Sequence, residues 1–346
     1  MSTRWTKKMI LKIKKWRFNV KSALQLLSAT AILAITTSSY AGQKLCVFDP
    51  LGTQGDAYFF MKDYAVAAKP WGADINLKAY TDDEKANQDF KLGKCDALAT
   101  TGIRTRQFNN FSGSIDSAGG VPNADVAKSI ISLMANPKLA SEMVSQDTEV
   151  AGVSPLGMAY AIIDDRNINS LAKMNEKRFG ILDYDTAQRL IVDKMGAIPV
   201  PVTLSTMANQ FNKGQVDIVD LPIYAYKALG FKAGTSILDY PVAYLTTQIT
   251  IHPAKFPEGY GQKSRTWVEG QMDRQFKSIK QLEKSIDPKI WVDTSPTDII
   301  FANKLLRFAR ISMAKEGAYS PRMMTILKKI RCLKDPSNFE CKLHDE

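Results

Sequence analysis

Five carboxylates, Asp49, Asp56, Asp183, Asp185 and Asp220, stand at or just beyond the ends of short apolar runs, against Arg104 and Arg106. In an open parallel sheet, ligands bind beyond the carboxyl ends of the strands. Acids so placed are candidates to hold a polar or partly cationic molecule. Thr53, Gln54, Thr100 and Thr101 add neutral hydrogen-bonding groups, and Tyr224, Tyr226 and Tyr240 offer rings that could stack on a ligand. Gly52-Thr-Gln-Gly55 precedes a helical segment, whose first N–H groups would favour an anion approaching over a bare backbone. The expected ligand-binding set is Asp49, Thr53, Gln54, Asp56, Thr100, Thr101, Arg104, Asp183, Asp185, Asp220 and Tyr224. Each acid also has a plainer reading: Asp49-Pro50 as a turn, Asp56 as a helix cap.

Catalysis finds little footing. The spacings G-x-S-x-G, H-E-x-x-H, G-x-x-x-x-G-K and G-x-G-x-x-G are absent. Ser154, in Gly152-Val-Ser-Pro-Leu-Gly157, misses the nucleophile-elbow spacing. The four cysteines, Cys46, Cys95, Cys332 and Cys341, form no C-x-x-C, and the two histidines, His252 and His344, lie far apart. Neither a metal site nor a cofactor is expected, and the chain reads as a binder rather than an enzyme. An even cysteine count in an exported chain instead reads as two disulfides. Cys332 and Cys341 bracket a short polar loop and form the natural local pair. Cys46 and Cys95 then remain for each other.

Export is written into the charge distribution. The chain of 346 residues carries 46 Lys and Arg against 35 Asp and Glu, a formal +11. Eight of those cations lie between Arg4 and Lys21, and the first 41 residues contain no acid. An apolar stretch of about 15 residues follows, then Ser39-Tyr-Ala41, the three parts of a secretory signal peptide with cleavage after Ala41. What remains is near +3, too even a surface for nucleic acid. No later segment approaches 18 uninterrupted apolar residues, which excludes a channel, permease or pump.

The elements that must position the acids read as two similar units. Leu45–Pro50 is a buried strand, Asp56–Trp71 a helix, Asp74–Tyr80 a strand, Asp82–Leu92 a polar helix and Cys95–Thr100 a third strand. This β-α-β-α-β order implies a parallel sheet in the order 2-1-3, with Cys46 and Cys95 at neighbouring strand starts. Arg178–Asp183, Thr186–Met195, Ala197–Thr203, Ser205–Lys213 and Val216–Asp220 repeat it, prolines 199 and 201 confining the middle run to an edge. Both units carry F-x-x-G-x-x-D, at Phe90/Gly93/Asp96 and Phe211/Gly214/Asp217. Between them lie an amphipathic helical stretch, Asp125–Gln146, and a long extended run, Val150–Ile163; a second extended run, Ser236–Ile251, follows the second unit. A last helix is expected from Ser295-Pro296 to Gly317, with Phe301, Leu305 and Phe308 on one face.

With the export signal, two α/β units, paired crossover segments and helix-G-x-x-D-strand turns, the chain resembles the extracytoplasmic solute-binding proteins, particularly those of TRAP transporters. Ser170-Leu-Ala-Lys-Met through Val202, then Asn209–Asp220, is similar to that family's second-lobe layout. Leu45-Cys-Val-Phe-Asp-Pro-Leu-Gly52 with Gly55-Asp56, and Asp96-Ala-Leu-Ala-Thr-Thr-Gly-Ile-Arg104, look like a group of solute-binding proteins that go under the label of RND-type efflux pump and aminoglycoside resistance.

The resemblance implies an α/β, two-lobed periplasmic-binding-protein fold, each lobe a mainly parallel sheet flanked by helices, joined by crossover strands. It divides the chain into a signal peptide (1–41), a first part of lobe one (42–149), lobe two (150–246) and a return to lobe one with C-terminal helices (247–346). It further implies a periplasmic monomer that captures a small polar solute for a membrane transporter, with no nucleic-acid partner. The alternative is a periplasmic accessory of an efflux component, since a chain without membrane spans is not itself a pump. One departure stands out. The family holds its ligand's carboxylate with an arginine on the first strand of lobe two, where this chain offers Gly180; Arg178 lies two positions earlier and its role is open.

Overall fold

Every strand expected from the apolar runs forms, and nearly all of them enter one sheet through the pairing that their order dictates. The computed structural model describes residues 42–344 and 346; the expected signal peptide lies outside them. The strands are β1 (Gln43–Phe48), β2 (Ile75–Tyr80), β3 (Ala97–Thr101), β4 (Val144–Ser145), β5 (Thr148–Ile163), β6 (Arg178–Leu182), β7 (Ile198–Val202), β8 (Ile218–Pro222), β9 (Ser236–Ile251) and β10 (Trp291–Val292). The sheet order is β2-β1-β3-β9-β5-β8-β6-β7, with β10 on β9 and β4 on β5. Strands β1, β2 and β3 are parallel in the expected order 2-1-3. Strands β6, β7 and β8 repeat it, with proline-bearing β7 at the edge. The long β5 and β9 run antiparallel to each other between the two trios, so one sheet carries both lobes.

The helices are α1 (Asp56–Ala68), α2 (Asp83–Lys91), α3 (Gly102–Thr105), α4 (Asn110–Gly113), α5 (Ala124–Met134), α6 (Thr186–Lys194), α7 (Met207–Asn212), α8 (Ile223–Leu229), α9 (Tyr260–Gly270), α10 (Met272–Lys284), α11 (Pro296–Lys315) and α12 (Pro321–Lys334). None is long and apolar enough to cross a membrane. Their starts follow capping chemistry. Asp82 accepts from the N–H groups of Glu84 and Lys85, and Ser295, ahead of Pro296, accepts from Asp298.

The repeated F-x-x-G-x-x-D does the same work twice. Phe90 and Phe211 are fully buried, and Gly93 and Gly214 end their helices at φ 67° and 66°. Asp96 then accepts the Lys44 N–H of β1 at 2.8 Å, and Asp217 accepts the Arg178 N–H of β6 at 2.8 Å. Each acid thereby ties the third strand of its lobe to the first.

Both disulfides form as paired above, Cys46–Cys95 and Cys332–Cys341, and no cysteine is free.

Two expectations change. The stretch 125–146 is not one helix, because Pro137 lacks an N–H and cannot continue α5; tight 3-10 turns run instead from Pro137 to Met143. On α11 the buried stripe is Ala302, Leu306, Ala309, Arg310 and Met313, while Phe301 and Phe308 face outward. The small alanines let the helix approach the body closely, which the phenylalanines would not.

Candidate functional site

The carboxyl ends of β1, β3, β6 and β8 converge on one cavity of about 160 Å³, well above the ~10–15 Å³ that a single water needs. Phe48, Thr100 and Thr101 border it from the first lobe, Leu182, Asp185, Asp220, Leu221 and Tyr224 from the second. Leu156, Ala159, Val242 and Leu245 contribute from the crossover strands, and Ala302, Leu306 and Tyr319 from the C-terminal region. Thr100, Thr101, Asp185, Asp220 and Tyr224 were legible as candidates. Asp116, Gln188, Asp298 and Tyr319 were not. Asp116 lies in a turn beyond β3 among small residues, and Tyr319 arrives from a return of the chain that no local pattern reveals.

The other candidates are engaged elsewhere. Asp49 is buried and accepts from the N–H groups of Leu51 (2.9 Å), Ala57 (2.9 Å) and Tyr58 (3.2 Å), holding the start of α1. Gly55 makes that possible: a Cβ there would lie 1.8 Å from Asp49 Oδ1. Thr53, Gln54, Asp56 and Asp183 are exposed and do not border the cavity. The Arg104 guanidinium is buried against Asp83 (2.7 Å) and Glu84 (2.6 Å). Arg178 lies at the opposite, amino end of its strand, paired with Asp217 and donating to the Gly214 carbonyl at 2.7 Å. It is a strand-end clamp, far in role from a ligand arginine.

Several of these groups join the two lobes. Tyr224 of lobe two donates to Asp49 Oδ1 at 2.9 Å. Tyr184 donates to Asp83 at 3.1 Å, and its ring covers the Arg104 guanidinium at 3.4 Å. Arg106 reaches Asp185 at 3.7 Å. The cleft is therefore closed by contacts of the protein with itself.

Two acids of the cavity wall are held partly neutral. Burial pushes the Asp116 carboxyl up to about 7, only partly offset by Thr246, which donates through N (3.0 Å) and Oγ1 (2.6 Å), and by Arg106. Burial likewise raises Asp220 to about 7, and its Oδ1 has no hydrogen-bond partner. Unfolded carboxyls titrate near 4. The native state thus holds extra protons between about pH 4 and 7, so its stability falls as pH rises through that window and stays reduced above it. Urea unfolding should give a stability roughly 1–3 kcal/mol lower at pH 8 than at pH 5.5. In Asp116→Asn/Asp220→Asn that difference should shrink, and an undiminished slope would assign it to other groups.

Among the described residues no group of three or more His, Cys, Asp or Glu could hold a metal ion.

Comparison with known proteins fits this geometry. The family model described as solute-binding protein AdeT 1/2 matches residues 65–346. The chain is 42% identical over 306 residues to the probable solute-binding protein AdeT1 of Acinetobacter baumannii, covering 87% of this chain and all of that protein. Among solved structures, a TRAP periplasmic solute-binding protein of Shewanella oneidensis with bound succinate matches with a TM-score of 0.69 at 11% identity, covering 84% of this chain and 99% of that one. One from Desulfovibrio salexigens with bound orotic acid gives 0.67 at 12% identity over the same shares. At these identities the structures speak for the fold, which is the two-lobed one.

Proposed function

The chain belongs to the AdeT 1/2 family of solute-binding proteins, and on that premise we propose that it captures a small molecule in the cavity between its lobes and presents it to a membrane transporter. The family is periplasmic. The carrying observation is the cavity at the carboxyl ends of both parallel trios, where open α/β sheets take their ligands. Residues 42–149 and 247–346 act in this reading as one lobe and 150–246 as the other, with β5 and β9 as the hinge. The basic leader is cleaved after Ala41, the mature chain works as a monomer, and it binds without catalysing. A cavity that side chains leave open between the lobes supports solute capture over a purely accessory role beside an efflux component.

The solved relatives hold succinate and orotic acid, both anions at neutral pH. Here Gly180 is buried between Val219 and Val202 and no arginine borders the cavity, so the same ligands are not carried over.

Protein purified from periplasm without added ligand and sprayed under native conditions should carry a small-molecule adduct at one per chain, released on denaturation. A clean apo mass, with no thermal shift across a panel of amines, sugars, alcohols and carboxylates, would remove the reading.

A further inference from the structure

The cavity wall is chemically one-sided. Among the described residues four carboxylates border it, Asp116, Asp185, Asp220 and Asp298, and no lysine, arginine or histidine does. Two of the four are well answered from within. Asp185 caps α6, accepting from the N–H groups of Ala187 and Gln188, and has Arg106 at 3.7 Å. Asp116 has its two bonds from Thr246. Asp220 has Gln188 as a side-chain hydrogen-bond partner and keeps a buried Oδ1 that nothing donates to. Thr100, 1% exposed and facing the same space from the other lobe, has an equally unpartnered hydroxyl. Buried polar atoms are almost always bonded, so two orphans on one cavity wall mark where a ligand's polar end belongs. Most of the rest of the wall is hydrocarbon and aromatic, including Phe48, Leu182, Leu221, Leu306 and Tyr319, with neutral polar groups such as Thr101, Asn169 and Gln188 between them.

We propose that the cavity selects a small organic cation, an apolar body bearing one protonated amine, with the amine seated against Asp220. This rests on the solute-binding reading of the cleft and adds the ligand's class. A carboxylate would enter a low-dielectric space already lined with carboxylates and find no cation, so its desolvation goes uncompensated. A polycation is disfavoured because Asp116, Asp185 and Asp298 already have partners within the protein, so its further charges would lose water without gaining a free carboxylate. A single ammonium has three donors and needs few acceptors, and the apolar body covers the remaining wall. In the empty cavity burial disfavours the ionised Asp220; a bound cation removes that penalty.

Titration calorimetry on the full mature chain at pH 8 tests this with 2-phenylethylamine, 2-phenylethanol, 3-phenylpropionate and kanamycin. The amine should bind at least ten times more tightly than the alcohol, the acid or the polycation. Asp220→Asn should weaken amine binding roughly 10- to 100-fold, the range for one charge-assisted hydrogen bond, and leave the far-UV circular dichroism spectrum unchanged, which reports an intact fold. The proposal is overturned by tighter binding of the acid or of kanamycin, or by an Asp220→Asn protein that binds the amine as well as the parent does. If the alcohol or the acid binds and the amine does not, the cationic class falls while solute capture stands. If all four are silent the class falls as well, and solute capture falls with it only where the periplasmic protein is also ligand-free.

Discussion

Replacing Arg310 with methionine should cost the fold about 3–5 kcal/mol, the penalty for removing one partner of a buried ion pair. Arg310 is 1% exposed and lies on the inner face of α11. It donates to the Ala118 carbonyl at 2.9 Å, to Glu340 at 2.6 Å and to Glu346. Arg331 of α12 completes the cluster, reaching Glu340 at 3.0 Å, Glu346 at 2.6 Å and the Gly120 carbonyl at 2.9 Å. Two carboxylates and two guanidiniums thus share a space without bulk water. Urea unfolding followed by circular dichroism reads the loss directly. Arg310→Met combined with Glu346→Gln should recover much of it, since one anion goes with its cation and Arg331 keeps Glu340. A loss below about 1 kcal/mol for the single variant would mean that water reaches the cluster.

The second large effect concerns closure. Tyr184→Ala together with Tyr224→Phe should shift the ligand-free molecule from a closed to an open cleft. The double variant removes a ring lying 3.4 Å from the Arg104 guanidinium, the Tyr184–Asp83 bond and the Tyr224–Asp49 bond. A desolvated cation–π contact contributes about 2 kcal/mol and a hydrogen bond to a charged group about 1.5–3 kcal/mol. Their sum moves a two-state equilibrium by a factor of a hundred or more. Small-angle scattering should record a larger radius of gyration without ligand and the parent value with it. Identical ligand-free profiles for both proteins would assign closure to the C-terminal helices instead. Ligand should also bind the double variant more weakly, because closure would then draw on binding energy.

How far the sequence reaches is visible in particular residues. Strand order, both disulfides and the twice-used F-x-x-G-x-x-D turn follow from local chemistry, since a helix stop and the first buried residue after it lie within six positions. Asp220 and Thr100 were legible for the same reason, as strand ends in a parallel unit. Asp49 was placed correctly and given the wrong surroundings. Nothing in its neighbours announces that Ala57 and Tyr58 turn their N–H groups back onto it. Arg104 looked free because its partners come from the preceding α2 and its cover from the other lobe. On α11 two stripes at helical spacing run side by side, and the larger side chains marked the outer one. Size suggests burial, but close packing against the body selected the alanines. Asp116 and Tyr319 depend on long-range returns of the chain, which periodicity does not encode.

The disulfide Cys332–Cys341 gives the charge cluster a dependence on compartment. Cys341 adjoins Glu340, the carboxylate shared by Arg310 and Arg331. Closing that short loop removes chain entropy worth roughly 2–3 kcal/mol from the unfolded state. With both thiols reduced, Glu340 must find its buried arginines from a wider ensemble, and until it does their charges stand uncompensated under α11. A chain still in a reducing compartment therefore lacks a fastener for its last helices, which suits a polypeptide that has yet to be threaded through a membrane. In an oxidising compartment the closed loop holds Glu340 beside both arginines and so fastens the C-terminal segment.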